Sequence, residues 1–264
     1  MPDIPAASSA ILLPRACGDA WRLEVHDRLG STSDLCKTRL EAGEGANGVA
    51  ILALEQTAGR GSRGREWADP GGNLALSIML TGQGTSVPVG LWPFIAGLAL
   101  YDSVARFLPT DEMLELKWPN DLLLAGRKMA GILIETGTTA DVAWQVIGIG
   151  ANLRQAPLIA GRELACLADY GPDVPAAPVM ARALLQELDT WLLRYATSGF
   201  DAIRTAWLER AHPVGTPIGV RAGNQQFSGH FYGLADDGIL LLQTPSGLRR
   251  VVTGEVLLSP VGQE

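Results

Sequence analysis

The sequence predicts an α+β fold: one mixed or antiparallel sheet with helices packed on it, followed by a small C-terminal β-barrel of the SH3 type. Three observations predict it. β-rich runs at 114–118, 122–124, 129–135 and 142–149 follow one another across short turns, and such short connections favour antiparallel neighbours. Between 89 and 108, Leu91, Phe94, Ile95, Leu98, Tyr101 and Val104 recur at helical spacing, the mark of a core helix on a sheet. From 218 to 258 the chain turns to short strands alone, with Asp237-Gly238 between two apolar runs as a hairpin signal.

The remaining elements follow in order. Residues 1–20 read as a loose tail pinned down at 11–13, and 21–25 as a short strand. Ser31 or Thr32 offers the N-cap hydroxyl for a helix to about Ala42. Residues 43–48 form a loop, 49–55 a strand, and 73–80 another; 81–90 is a Gly/Ser/Pro-rich loop. Pro93 is tolerated only in the first turn of the core helix. After a Pro-rich linker at 170–178 come two helices, 179–195 and 200–210. Composition shifts at His212-Pro213, so the domains are expected at 21–212 (catalytic) and 213–264 (barrel), after the 1–20 tail.

With 264 residues, 47% of them apolar and 19% charged, the chain is long enough to bury a core without staples. Its net charge of −7 argues against whole-surface binding to nucleic acid or anionic lipid. Affinity for phosphate must come from a local cluster. Cys17, Cys36 and Cys166 are too scattered for a metal site or a disulfide framework and read as reduced thiols in a cytoplasmic protein. No run is long enough to span a membrane, and no basic region precedes the apolar centre of the N-terminus as in a signal peptide.

Five segments carry polar chemistry. In "QTAGRGSRGREW", 56–67, arginine forks suit phosphate or carboxylate, and the glycines let backbone approach an anion. A solvated surface loop is the alternative. In "LKWPNDLLL", 116–124, Asn120 and Asp121 are oxygen ligands suited to Mg²⁺ or simply turn residues. "GRKMAGILIE", 126–135, sets Lys128 at the mouth of a strand with Gly131 inside it, where a glycine marks a bulge or close approach. "GIGANL", 148–153, again allows close approach, with Asn152 at its end. "GSTSD", 30–34, caps a helix or grips a polar ligand at its N-terminus.

Taken together and in this order, these segments resemble the biotin protein ligases. "STSD" is similar to that family's STN-like segment, and "QTAGRGSRGREW" to its adenylate-binding loop. "KWPND", "GRKMAGIL" and "GIGANL" match its next three blocks. The resemblance covers roughly 31–153 strongly, and "DDGILLL" extends it less specifically into the C-terminal barrel. It implies a catalytic domain related to class II aminoacyl-tRNA synthetases. It implies transfer of biotin, through biotinyl-5′-AMP made from Mg²⁺ and ATP, to a lysine of a biotin carboxyl carrier protein, usually that of acetyl-CoA carboxylase.

Carried onto this sequence, the resemblance puts Ser31, Thr32, Gln56, Arg60, Gly61, Ser62, Lys128 and Gly131 at biotin. Arg60, Ser62, Arg63, Arg65, Trp67, Asn73, Lys117 and Asn152 fall at ATP or the adenylate. Asn120, Asp121 and Asn152 become the Mg²⁺ ligands. Lys128 is the leading catalytic residue, supported by Lys117 and Arg65: a fixed cation offsets the repulsion between two reacting anions. A carboxylate nucleophile arrives ionised and needs no base, and His26, His212 and His230 match no catalytic block and read as structural.

There are two departures from the family pattern. About twenty residues precede the first expected strand, too few for the helix-turn-helix domain of the family's larger members, so no DNA binding is expected. Ser62 stands where the family usually has arginine, which implies weaker retention of biotinyl-AMP unless Arg63 or Arg65 substitutes. Monomer and homodimer both stay open. The alternatives are a lipoate-type acyl-adenylate ligase, disfavoured by "KWPND" and the arginine-rich loop; an RNA-binding module, poor in aromatics; and an inactive biotin-binding regulator.

Overall fold

The computed structural model describes residues 4–15, 20–82, 87–110, 113–171 and 173–258. Its strands are β1 (Ser9–Leu13), β2 (Trp21–Leu29), β3 (Val49–Gln56), β4 (Leu74–Thr81), β5 (Leu114–Lys117), β6 (Asp121–Leu124), β7 (Arg127–Thr139) and β8 (Val142–Ala151). They form one sheet in the order β1-β2-β3-β4-β8-β7-β6-β5. Only β2 and β3 are parallel, because helix α1 (Thr32–Glu41) crosses over between them. Helices α2 (Trp92–Ala105) and α3 (Ala177–Glu209) complete the domain. Alternation along the strands sorts the faces. Val49, Ile51 and Ala53 pack with Leu35, Cys36 and Leu40 of α1. Ala50 and Leu52 join the larger core under α2 and α3. α2 is buried almost all round, as suits a helix wedged between a sheet and a second helix.

Two sequence expectations change. Residues 9–13 are not tail but edge strand β1, antiparallel to β2 from Ser9–Val25 to Leu13–Trp21. The first expected strand runs on to Leu29. The two expected C-terminal helices are present: α3 is two helical stretches that meet at a kink at Gly199, whose φ of 70° and ψ of −172° leave the helix. Cys17 lies outside the described residues.

The C-terminal strands β9 (Pro217–Ala222), β10 (Gln225–Leu234), β11 (Leu240–Thr244), β12 (Gly247–Val251) and β13 (Glu255–Leu257) pair as an antiparallel sheet in the order β12-β11-β10-β9-β13. Among the described residues no ladder joins β12 to β13 to close it. Its Asp237-Gly238 turn packs closely against the rest of the chain. Gly238 has a φ of 81°, and a Cβ there would stand 2.6 Å from the Phe94 ring. The Trp118 indole N–H donates to the Gly238 carbonyl at 3.2 Å. One glycine thus carries both the turn and a close approach to Phe94 of α2. Among the described residues no helix is long and apolar enough to cross a membrane.

Candidate active site

The site lies on the α1 face of the sheet. Cross-strand register lines up Ala75, Gly150, Gly131 and Asp121 in one row, and Ser77, Gly148 and Leu133 in the next. Three glycines leave this floor nearly flat, and the Trp67 ring uses the space. A Cβ on Gly150 would lie 2.5 Å from Trp67 Cε2, and one on Gly131 would lie 3.6 Å from Cζ3. "GIGANL" therefore does allow a close approach, and in this structure the approaching group is the protein's own indole.

Beside the floor stands the N-terminus of α1. Ser31 is its N-cap, accepting from the Asp34 amide at 3.3 Å. The Thr32 amide and hydroxyl donate to Gln56 Oε1 at 2.9 and 3.2 Å. The Thr32 and Ser33 hydroxyls lie 2.7 and 2.9 Å from Ser77 Oγ. All five side chains are buried, so this wall is a satisfied polar network held in one geometry.

The loop 56–67 folds as a small hairpin over the floor. The Gly61 amide donates to Arg65 O at 2.7 Å, and the Trp67 amide to Gly59 O at 2.9 Å. Arg63 and Gly64 turn its tip, Arg63 in the left-handed region at φ 60°. Two pockets result. The first is lined by Ser31, Thr32, Gln56, Arg60, Ala75 and Leu133 among others. The second is lined by Arg65, Ala68, Asn152, Pro157, Ile159 and Leu164 among others. Gly61, Ser62, Trp67 and Lys128 line both.

Lys128 reaches that shared wall because of a β-bulge. Ala130 pairs with Leu122 and Lys128 with Leu123, which leaves Met129 as the extra residue and re-aims the lysine. Its Nζ lies 2.5 Å from Asp121 Oδ1, while Lys117 Nζ lies 3.3 Å from Asp121 Oδ2. Arg63 and Arg65 converge on Glu255 of β13 at 3.4 and 3.0 Å. Arg63, Arg65 and Lys117 thus line one opening together with Asp121 and Glu255, and Lys128 adjoins it through Asp121. This is a local positive excess in a chain whose net charge is −7, the setting a polyanion requires.

Burial works against ionisation of Glu255, but the Arg65 hydrogen bond and the charges of Arg65, Lys117 and Arg63 hold its carboxyl below the ordinary 4.5. A depressed carboxyl contributes stability above its unfolded value and loses it as pH falls through the folded one. Glu255→Gln is expected to cost a modest ~0.5–1 kcal/mol near pH 7, since the pairs are partly exposed. The difference from wild type is expected to shrink as pH falls below the ordinary 4.5 and to vanish once pH has passed below the lowered folded-state value. Urea titration followed by proteolytic release of the C-terminal sheet, from pH 3 to 7, checks it.

Two groups of expected ligands need correction. Asn73 is fully buried. Its amide NH₂ donates to Asp69 and to Gln155 O, and its oxygen accepts from the Leu153 and Arg154 amides. It fastens the 153–155 turn and has nothing left for a nucleotide base. The Mg²⁺ ligands do not form a cation site either. Both Asp121 oxygens face ammonium groups, and the Asn120 amide donates to Ile132 O at 2.5 Å. Among the described residues no cluster of three or more His, Cys, Asp or Glu exists. These residues do not fit a resident metal. Asn152 is different: its amide donates to Ala165 O, but among the described residues its buried Oδ1 has no partner, and it lines the second pocket.

Neither described cysteine is activated, since burial pushes the Cys36 and Cys166 thiols up. No histidine lines either pocket; His26 and His212 are buried elsewhere, and His230 is exposed on β10. Sequence reasoning missed Ser77, Asp34, Glu135 and Glu255. Ser77 left a trace, being the one polar residue inside "LALSIML". Glu255 left none, because its partner Arg65 is 190 positions away.

Residues 25–152 match the Biotin/lipoate A/B protein ligase family, and residues 214–259 match the Biotin protein ligase C terminal domain. The chain is 37% identical to the biotin–[acetyl-CoA-carboxylase] ligase of Paracoccus denitrificans, over 86% of this chain and 98% of that protein. It belongs to the biotin protein ligase family. Another biotin–[acetyl-CoA-carboxylase] ligase, from Mycobacterium tuberculosis, is 33% identical, with 91% and 90% covered. The bifunctional ligase/repressor BirA of Escherichia coli is 33% identical, over 91% of this chain and 75% of that protein. The fold matches the Aquifex aeolicus biotin protein ligase solved with biotin and ATP, with a TM-score of 0.74, 24% identity and coverage of 89% and 97%. In this chain the arginine-rich hairpin, the bulged lysine strand and the glycine floor meet at a single place.

Proposed function

We propose that this chain joins biotin to a lysine of a carboxylase's biotin carrier domain, in two steps at the wall shared by its two pockets. The observation that carries the reading is that Gly61, Ser62, Trp67 and Lys128 line both pockets. Biotin sits in the first, its polar head toward Ser31, Thr32 and Gln56. ATP takes the second, its base between Trp67 and the Pro157, Ile159 and Leu164 side, where the free Asn152 oxygen accepts a hydrogen bond. Its phosphates extend toward Lys117, Arg63 and Arg65.

The biotin carboxylate attacks the α-phosphorus, forming a C–O–P anhydride and releasing pyrophosphate. Lys128 stands between the two anions and offsets the charge that builds on the phosphoryl oxygens. Approaching phosphates compete with Asp121 for Lys128 and Lys117, and with Glu255 for Arg63 and Arg65. The carrier lysine then attacks the acyl carbon of biotinyl-5′-AMP, and AMP leaves. Ser62 hydrogen-bonds Arg65 through both its backbone oxygen and its hydroxyl, at 3.3 Å each. This supports Arg65 as the arginine that stands in for the one the family usually has at position 62.

The relatives named for acetyl-CoA carboxylase support that enzyme's carrier as the acceptor. The match to a biotin protein ligase C-terminal domain favours biotin over lipoate. Residues 21–212 then act as the catalytic domain and 213–264 as its C-terminal partner. The test is mass spectrometry of a purified biotin carrier domain incubated with the chain, ATP, and biotin or lipoate. A shift of one biotinyl group with biotin alone is expected. A shift with lipoate alone, or none with either, contradicts the proposal.

A further inference from the structure

We infer that Asp34 and Glu135 are positioning residues for substrate retention: together they clamp the Arg60 guanidinium and so hold the Gly59–Trp67 hairpin shut over the first pocket. The inference rests on the reading of that pocket as the biotin site. The pocket's walls are the first turn of α1, through Ser33, and strand β7, through Leu133. Asp34 and Glu135 stand just beyond the last lining residue of each wall. Arg60 forks between them, Nη1 to Asp34 Oδ1 at 2.6 Å and Nη2 to Glu135 Oε1 at 2.5 Å. Lys37 braces the same two oxygens, at 2.9 and 3.1 Å. Two cations and two carboxylates thus close a ring from loop to helix to strand.

The hairpin needs such a tie. Its root is tight: a Cβ on Gly59 would stand 2.4 Å from Trp67 O and 2.6 Å from Gln56 Nε2. Beyond the root, Arg60 pairs across the hairpin only as a single bridge to Glu66, flanked by the two backbone bonds already given. Arg63 and Arg65 tie the tip to Glu255, and the forked guanidinium of Arg60 fixes the end nearer the root, by charge-assisted bonds to two different walls. Neither carboxylate lines the pocket, so their effect passes through Arg60 to retention and not to bond formation. Arg60 and Asp34 are half-exposed, so the clamp is open to screening by salt.

The experiment measures release of radiolabelled biotin from the full chain, with the KM and kcat of biotin-dependent pyrophosphate exchange, for wild type and the Asp34→Asn/Glu135→Gln double variant. Release roughly tenfold faster is expected, with KM for biotin raised in step and kcat within about twofold. Salt is expected to speed release from wild type and to leave the double variant flat. If release is unchanged, or kcat falls with KM fixed, the clamp is wrong. Wild type that binds no biotin overturns the site reading instead, and the clamp with it. Should the double variant misfold, Asp34→Asn alone, at the more exposed end, decides the matter by the same release and salt measurements.

Discussion

Lys128→Ala is expected to lower biotin-dependent ATP–pyrophosphate exchange by about 100- to 1,000-fold, the usual cost of removing one preorganised donor of roughly 2.7–4 kcal/mol from a transition state. The lysine lies on the wall common to both pockets, where carboxylate and phosphate must meet. The variant leaves no bare buried charge, because Asp121 keeps Lys117 at 3.3 Å. The fold is therefore expected to survive, and a circular-dichroism melt separates lost chemistry from lost structure. Lys128→Arg retains charge but not a compact ammonium, so an intermediate rate is expected. Full exchange by the alanine variant contradicts the assignment.

Gly150→Ala is expected to act almost as strongly through one methyl group. That carbon would lie 2.5 Å from Trp67 Cε2, 2.7 Å from Nε1 and 2.9 Å from Cζ2, so the indole must leave its seat on the floor. Overpacking of this kind costs about 1–3 kcal/mol. Here that cost falls on the ring that divides the two pockets, and on the proposed platform for adenine. KM for ATP is expected to rise by roughly 10- to 100-fold, with biotin affinity less affected. Tryptophan emission reports the ring's displacement directly. The second variant Gly150→Ala/Trp67→Ala removes the clash: if it binds ATP no better than Gly150→Ala with Trp67 intact, the platform role holds, and if it restores wild-type affinity, Trp67 is only a spacer.

Much of the fold was legible because its signals are local. The Ser31 cap, the Asp237-Gly238 turn and the short turns from β5 to β8 each lie within a few residues of what they determine. Strand β1 was hidden: Ser9–Leu13 is short and mostly exposed at an edge, and only its ladder to β2 makes it a strand. The parallel pairing of β2 with β3 is a consequence of where α1 packs, which no strand pattern states. At the site, residue types pointed to anions, but their partners were not visible. Asp121 reads as a metal ligand or a turn residue, and it becomes a lysine counterion only because the bulge at Met129 turns Lys128 toward it. Asn73 sits in a suggestive segment, yet apart from one bond to nearby Asp69 its hydrogen bonds serve a turn 80 residues and more away. Contacts of that range, like Arg65 with Glu255, exist only once the chain has folded.

The account's central claim is that biotin and ATP react on this chain, at the shared wall, before any carrier arrives. Exchange of labelled pyrophosphate into ATP, measured with no carrier present, tests it most directly. Exchange that requires biotin is the predicted result. Absence of exchange with biotin and ATP both saturating, or exchange that proceeds equally without biotin, would contradict it.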